Sequence, residues 1–200
     1  MKIAIDLNDV LRDYSNNFVR YYIENYNHEY DLTDFEFWSE DISAVLPFKS
    51  DASYYNFIYN DFPFELYGKC GLCSRSLDTE LNTWTEQTLK DMDIDEDIEV
   101  MFVSPKEYGG SIGNTYFFLS KLGTKIREVY LPVDSSTIWD KCDVLITARP
   151  SLLANKPEGK ISIKITADYN KDAEADYTYP SLSSFLSKAE NTEKLINHVL

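Results

Sequence analysis

The strongest constraint in this chain is an alternation. After residue 97, short aliphatic runs recur: "IEVMFVS" at 98–104, "IREVYLP" at 126–132, "CDVLIT" at 142–147 and "KISIKI" at 160–165. Each is short and rich in β-branched residues, so each is predicted as a strand. Between them lie helical stretches. "GNTYFFLSKLG" (113–123) is predicted as a helix ended by Gly123, and "ARPSLLANK" (148–156) as a short helix opened by Pro150. The last twenty residues, "SLSSFLSKAENTEKLINHVL", read as one or two helices. With "KIAID" (2–6) as a first strand, the pattern is α/β: a Rossmann-like parallel sheet with helices on both faces.

The stretch after the first strand breaks this rhythm. From about residue 14 to 92 the chain is rich in Tyr, Phe, Trp, Asn and Asp and has no strand-like aliphatic run. Phe18, Tyr22 and Tyr26 recur at helical spacing, which predicts an amphipathic helix over 14–27. A looser region follows, and "SLDTELNTWTEQTLKDMD" (76–93) predicts a helix capped by Asp78 or Thr79. The expected organisation is a core domain of residues 1–13 plus 77–200, with a mainly helical cap, 14–76, inserted after the first strand. A cap in that position lies over the carboxyl ends of the strands. "GGSIG" (109–113) has neither the Lys-Ser/Thr ending of a P-loop nor dinucleotide-fingerprint spacing, and is expected to be a flexible strand-to-helix loop.

Charge and composition narrow the function classes. The formal charge is −15, from 34 acidic and 19 basic residues, so the chain repels a phosphate backbone and no nucleic acid is expected as partner. A small phosphorylated ligand stays open, because a metal ion or local amides can reverse the field within one cleft. With 44% apolar residues a packed core is expected. No run of about 18 apolar residues occurs, so no membrane span is expected. The first residues enter a strand directly, which argues against secretion through a signal peptide and for a cytoplasmic protein or one held within a phage particle. Three cysteines make no closed disulfide set. Cys70 and Cys73 form one C-x-x-C, but His28 and His198 stand at no ligand spacing from it, so structural thiols are expected.

The opening "IAIDLNDVLRDYS" (3–15) ends a greasy strand on Asp6 and places Asn8 and Asp9 directly behind it. Asp and Asn are turn formers, and a turn after a strand accounts for them locally. A carboxylate at the carboxyl end of a parallel strand also lies where open α/β sheets bind ligands.

Taken together, "IAIDLNDVL", the large insertion behind it, "FVSP" and "DVLITARP" resemble the haloacid dehalogenase-like superfamily, closest to its 5'(3')-deoxyribonucleotidase branch. The resemblance implies that Asp6 occupies the position of a nucleophile that attacks phosphorus and binds magnesium. It puts Asn8 at the general acid–base position, where the family has a second Asp. An amide exchanges no proton near neutral pH, and loss of a general acid–base typically costs about 10²–10⁴ in rate. Ser104, one residue beyond the aligned Val103, is the candidate phosphate-binding hydroxyl. The family's phosphate-steadying Lys falls on Thr137, with Lys141 nearby as a substitute. The acids that complete a magnesium site fall on Thr147 and Ala148, followed by a retained Arg149 and Pro150; Asp143 and Asp168 are acids elsewhere that match no motif.

The expectation drawn from this pattern is a catalytically degenerate protein acting as a binding or structural module, with no cofactor and a protein partner or an assembly, such as a phage particle, as its context. The cap aromatics Tyr54, Tyr55, Phe57, Tyr59, Phe62 and Phe64 suit either an interface or the cap's own core. The alternative is a magnesium-dependent phosphohydrolase working through an aspartyl-phosphate at Asp6, with Ser104 and Lys141 as phosphate ligands. A third possibility is a phosphorylated ligand held by Ser104 and Arg149 without hydrolysis.

Overall fold

A computed structural model describes residues 1–90 and 98–199. Six strands form one parallel sheet: β1 (Lys2–Asp6), β2 (Glu99–Val103), β3 (Glu128–Tyr130), β4 (Val144–Thr147), β5 (Ile161–Ile165) and β6 (Tyr177–Tyr179). Their spatial order is β3-β2-β1-β4-β5-β6. The helices are α1 (Tyr14–Asn25), α2 (Ile42–Val45), α3 (Asp51–Asn56), α4 (Leu77–Lys90), α5 (Gly110–Ser120), α6 (Pro150–Ala154), α7 (Leu182–Leu186) and α8 (Ala189–Val199). None is long and apolar enough to cross a membrane.

The sheet is buried on both faces, and side-chain alternation sorts its residues between them. Ile3, Ile5, Phe102, Val144, Ile146, Ile161 and Ile163 point into the larger core, with Leu81 and Trp84 of α4, Phe118 of α5 and Phe185 of α7. Ala4, Met101, Val103 and Leu145 face the other way, against Ile138, Trp139, Cys142 and Leu152. β1 is paired on both sides, Asp6 with Val103 on β2 and Ile5 with Ile146 on β4. This central placement is why its short apolar run is entirely buried.

A separate cluster gathers residues between Tyr14 and Tyr67. Phe18 packs on Phe57 and Phe48, and Tyr22 on Phe48 and Tyr26, with ring centroids 4.9–6.3 Å apart. Burying each such ring is worth roughly 2–3 kcal/mol. The six aromatics named above divide accordingly. Phe57 is buried, Tyr54, Tyr59 and Phe62 are partly buried in this cluster, and Tyr55 and Phe64 are exposed.

Several expectations need correcting. β6, with the polar-aromatic "YTY", was not anticipated; it is an edge strand partnered only by β5. α4 begins at Leu77, so Asp78 and Thr79 lie inside its first turn instead of capping it. The tail of the helix expected over 76–93 lies outside the described residues beyond Lys90. "GGSIG" is no loop: Gly110 starts α5, after Gly109 at φ +51°. A Cβ on Gly110 would lie 2.9 Å from the Tyr59 carbonyl oxygen, so the glycine permits a close approach of α5 to the segment around Tyr59 and Pro63.

Candidate functional site

From β1 the chain passes to β2 and β3 on one side; β4, β5 and β6 then build outward on the other. The order therefore reverses between β1 and β4, and the crevice outside their carboxyl ends is where such sheets bind ligands. Asp6 ends β1 and Thr147 ends β4, so both side chains meet there.

Asp6 has no solvent exposure. Its Oδ2 accepts hydrogen bonds from Thr147 Oγ1 at 2.8 Å and from Arg149 Nε at 3.0 Å. Its Oδ1 is buried with no partner. Burial pushes the Asp6 carboxyl above its ordinary value, and Arg149 and Thr147 oppose that rise without cancelling it. Burial, the largest single influence, lowers the pKa of Arg149, but Asp6 together with Tyr169, Glu40 and Asp9 more than offsets it, and the guanidinium stays charged. Only 14% of the Arg149 side chain is exposed.

A second cation lies on the other side of β1. Arg12 is wholly buried. The turn leaving β1 folds it inward: Leu11 N and Arg12 N both donate to Leu7 O, and Asp9 N donates to Arg12 O. Arg12 Nε donates to Asn8 Oδ1 at 2.5 Å, one terminal nitrogen to Thr115 Oγ1 at 2.7 Å, and the other to Ser104 Oγ at 3.3 Å and to Glu107 Oε1. Thr115 Oγ1 donates in turn to Glu107 Oε2 at 2.6 Å. The guanidinium carbon also sits 5.0 Å from the Tyr67 ring centroid and 5.7 Å from that of Tyr14. A buried guanidinium is tolerable only when paired and hydrogen-bonded in this way.

Asp9 performs a third, structural task. It adopts φ +59°, a left-handed conformation that Asp tolerates better than most residues. From there it accepts from Ser15 N at 2.8 Å, Ser15 Oγ at 2.5 Å and Tyr169 Oη at 2.9 Å. Asp13, the residue before α1, makes no side-chain cap, so Asp9 satisfies the helix start instead.

A cavity of about 280 Å³ lies above these groups, lined by Asn8, Asp9 and Arg149 from the strand ends and by Glu40, Asp41, Tyr54 and Tyr59 from the inserted segment.

The sequence-derived candidates separate into two groups. Asp6, Asn8, Ser104 and Arg149 do converge on this crevice, but each is already engaged by another side chain of the same protein. Lys141 does not join them. It is exposed and precedes β4, at the amino end of the sheet, where the neighbouring Asp143 accepts from Lys2 N. The expectation of Lys141 as a phosphate ligand is corrected on that geometry. Thr137 bonds to Tyr130 and Asp134, and Asp168 pairs with Lys171 on the surface. Cys70 is buried and free, its thiol donating to Asp13 O.

Arg12, Glu107 and Tyr169 were missed. One signal was present: opposite charges stand in the loops leaving β1 and β2, six residues after Asp6 and four after Val103. Adjacency of those two strands makes them neighbours.

The residues present do not fit magnesium. Among the described residues no three His, Cys, Asp or Glu side chains gather as a cation-binding set. The positions expected to carry the extra acids hold Thr147 and Ala148, and one Asp6 oxygen already faces a guanidinium. Asp6 and Glu107 are paired with guanidinium groups and Asp9, Glu40 and Asp41 are spent on hydrogen bonds within the protein, so their oxygens do not converge as an octahedral divalent ion requires.

No family model and no curated protein matches the sequence. The fold does have solved counterparts. A protein from Burkholderia xenovorans LB400, provisionally described as a haloacid dehalogenase-like hydrolase, superposes with a TM-score of 0.61 over 94% of this chain and 96% of its own, at 9% identity. At that identity the likeness establishes the fold: α/β, with a Rossmann-like parallel sheet of the haloacid dehalogenase-like kind.

Proposed function

Starting from a haloacid dehalogenase-like fold, we propose that this protein is a catalytically degenerate version of it that serves as a binding or structural module. One observation carries the reading: the nucleophile-position carboxylate, Asp6, is sealed from solvent and held by Arg149 and Thr147. Nucleophilic attack on phosphorus needs an exposed, cation-screened oxygen. The surroundings agree. The Asn8 amide oxygen and the Ser104 hydroxyl both accept from Arg12, so the acid–base and phosphate-binding positions are occupied from within. Exposed aromatic and aliphatic side chains on α5 and the nearby inserted segment (Tyr55, Phe64, Ile112, Tyr116 and Phe117) favour a protein partner or a larger assembly such as a phage particle.

The unpartnered Asp6 Oδ1 favours a second reading, a magnesium-dependent phosphohydrolase of the 5'(3')-deoxyribonucleotidase type. An assay with magnesium, p-nitrophenyl phosphate and deoxynucleoside monophosphates separates the two. The expected rate equals that of the Asp6→Asn variant; turnover that this variant abolishes would establish the enzyme.

A further inference from the structure

We propose that the cavity above Asp6 takes an organic cation, an alkylammonium group of the lysine or polyamine type. The inference rests on the non-catalytic binding reading and gives that module a ligand class. Its volume, about 280 Å³, lies at the lower edge of the roughly 300–1,000 Å³ usual for small-molecule sites, which suits one side chain or a short amine.

The electrostatics of the walls select the sign. The lining carboxylates are Asp9, Glu40, Asp41 and Glu107, and the lining cations are Lys106 and Arg149. Asp6 and Arg12 stand directly behind this wall, paired with Arg149 and Glu107. Five carboxylates against three cations leave a net −2. Asp9, Glu40 and Asp41 make no ion pair among the described residues, so the uncompensated charge belongs to the cavity. A phosphate would meet Lys106 and Arg149 but also the net negative field of the carboxylates, whereas an ammonium enters that field favourably.

The aromatic lining fits the same ligand. Tyr54, Tyr55 and Tyr59 form one wall, with Tyr55 and Tyr59 stacked at 6.1 Å and 9°. Tyr14 and Tyr67 form another, and these two rings already flank a cation, the Arg12 guanidinium, from behind. Burial raises the phenol pKa values of Tyr54, Tyr59 and Tyr67, so all three rings remain neutral and present π faces. Aromatic faces with nearby carboxylates are the recognised chemistry for ammonium groups.

There is also room for what the ammonium is attached to. Tyr169 lines both this cavity and a wider groove of about 1200 Å³ that runs past Trp38. That groove carries Glu36, Asp172 and Glu174 without ion-pair partners among the described residues, so an extended basic segment is favoured along it too.

Titration calorimetry on the full chain tests the proposal, with butylammonium, spermidine and tetramethylammonium chlorides, an acetylated lysine-containing tripeptide amide, deoxyadenosine monophosphate and inorganic phosphate. Sodium chloride at matched ionic strength is the blank. At least one amine is expected to bind with a Kd of about 1 mM or tighter. The Glu40→Gln/Asp41→Asn double variant, which changes surface groups and keeps a cap at position 41, should weaken it about five-fold or more. Tyr55→Leu, at an exposed position, should weaken it about two- to five-fold. Binding of free amines assigns a small-molecule source; binding of the tripeptide alone assigns a partner's lysine. The proposal falls if no amine binds beyond the sodium chloride blank, if both variants bind as the wild type does, or if phosphate or the nucleotide binds more tightly than every amine. Phosphatase turnover is scored separately, so a catalytic protein that binds amines and an inactive one that does not are told apart.

Discussion

Arg12→Met probes a fully buried ion pair, Arg12 with Glu107. The substitution keeps an unbranched side chain of comparable reach but removes the donors to Asn8, Ser104, Thr115 and Glu107. Asn8 lies at the cavity and its amide can be rehydrated, so its loss is small. Glu107 is the decisive partner. It is buried, and without Arg12 only the Thr115 hydroxyl remains to it within the pair's network. Leaving one member of a buried ion pair uncompensated costs about 3–5 kcal/mol. With a urea m-value of about 2 kcal/mol per molar, the unfolding midpoint should fall by about 2 M. The Glu107→Met single variant should cost a similar amount, because it strands the guanidinium. The Arg12→Met/Glu107→Met double variant removes both charges and should cost less than either single change, giving a coupling of about 3 kcal/mol or more. Urea unfolding at pH 7, followed by circular dichroism with the m-value checked for constancy, measures all three. Additive effects in the double variant, or single losses under about 1 kcal/mol, would refute the view that this pair is mutually dependent.

Arg149→Met should destabilise by about 3 kcal/mol at neutral pH, with a loss that depends on pH. Burial already raises the Asp6 pKa, and removing its cation raises it further, so the variant's deficit grows as pH rises from the wild type's Asp6 value, itself above the ordinary carboxylate range, to the variant's higher one; a deficit constant with pH would contradict this. Asp9→Gly relieves a left-handed backbone worth about 1 kcal/mol but removes three accepted hydrogen bonds worth about 1 kcal/mol each, so a net loss near 1–2 kcal/mol is expected in thermal or urea unfolding, and a net gain would show the bonds to be weak. Burial pushes the Cys70 and Cys142 thiols up to about 12 and raises Cys73 as well, so none is an activated thiolate and access decides their order of reaction. Native protein should show at most one accessible thiol toward an aromatic disulfide reagent, Cys73, reacting more slowly than a free thiol, and three after denaturation; two reactive thiols in the native state would overturn the assignment.

What was legible in the sequence follows from how each element is paired. The first strand reads correctly at 2–6 because it is hydrogen-bonded on both sides and buried on both faces, which demands a continuous apolar run. β6 escaped because an edge strand of three residues needs no such run. Gly109 and Gly110 disguised the start of α5, since glycine weakens a helix signal, while the close passage of the segment around Tyr59 requires it at Gly110. At the site, Asp6 was visible as a carboxylate ending a strand. The network around Arg12 was not, because it depends on β1 and β2 lying side by side, a fact of topology that no local pattern states. Lys141 was misplaced for the converse reason: a residue before a parallel strand lies at the opposite end of the sheet from one that ends it, however flexible its side chain.

Thr147 and Ala148 stand where the resemblance expects metal-binding acids, and the cation beside Asp6 is Arg149, which bears on the kind of site this crevice can be. A carboxylate buried at a switch point needs a cation, which can come from solution or from the chain. A hydrated divalent ion keeps coordination positions open toward a phosphate, so it reverses the field of the cleft and recruits anions. A guanidinium spends its donors along fixed directions on groups beside it, and Arg149 aims its Nε at Asp6. It neutralises the carboxylate, so that the pair as a unit adds little net charge, although Arg149 itself lines the cavity. Arg12 does the same for Glu107. Once both internal pairs close, the field above them is set by the carboxylates left over, Asp9, Glu40 and Asp41. On the reading proposed above, a crevice built in this way favours a cation over an anion.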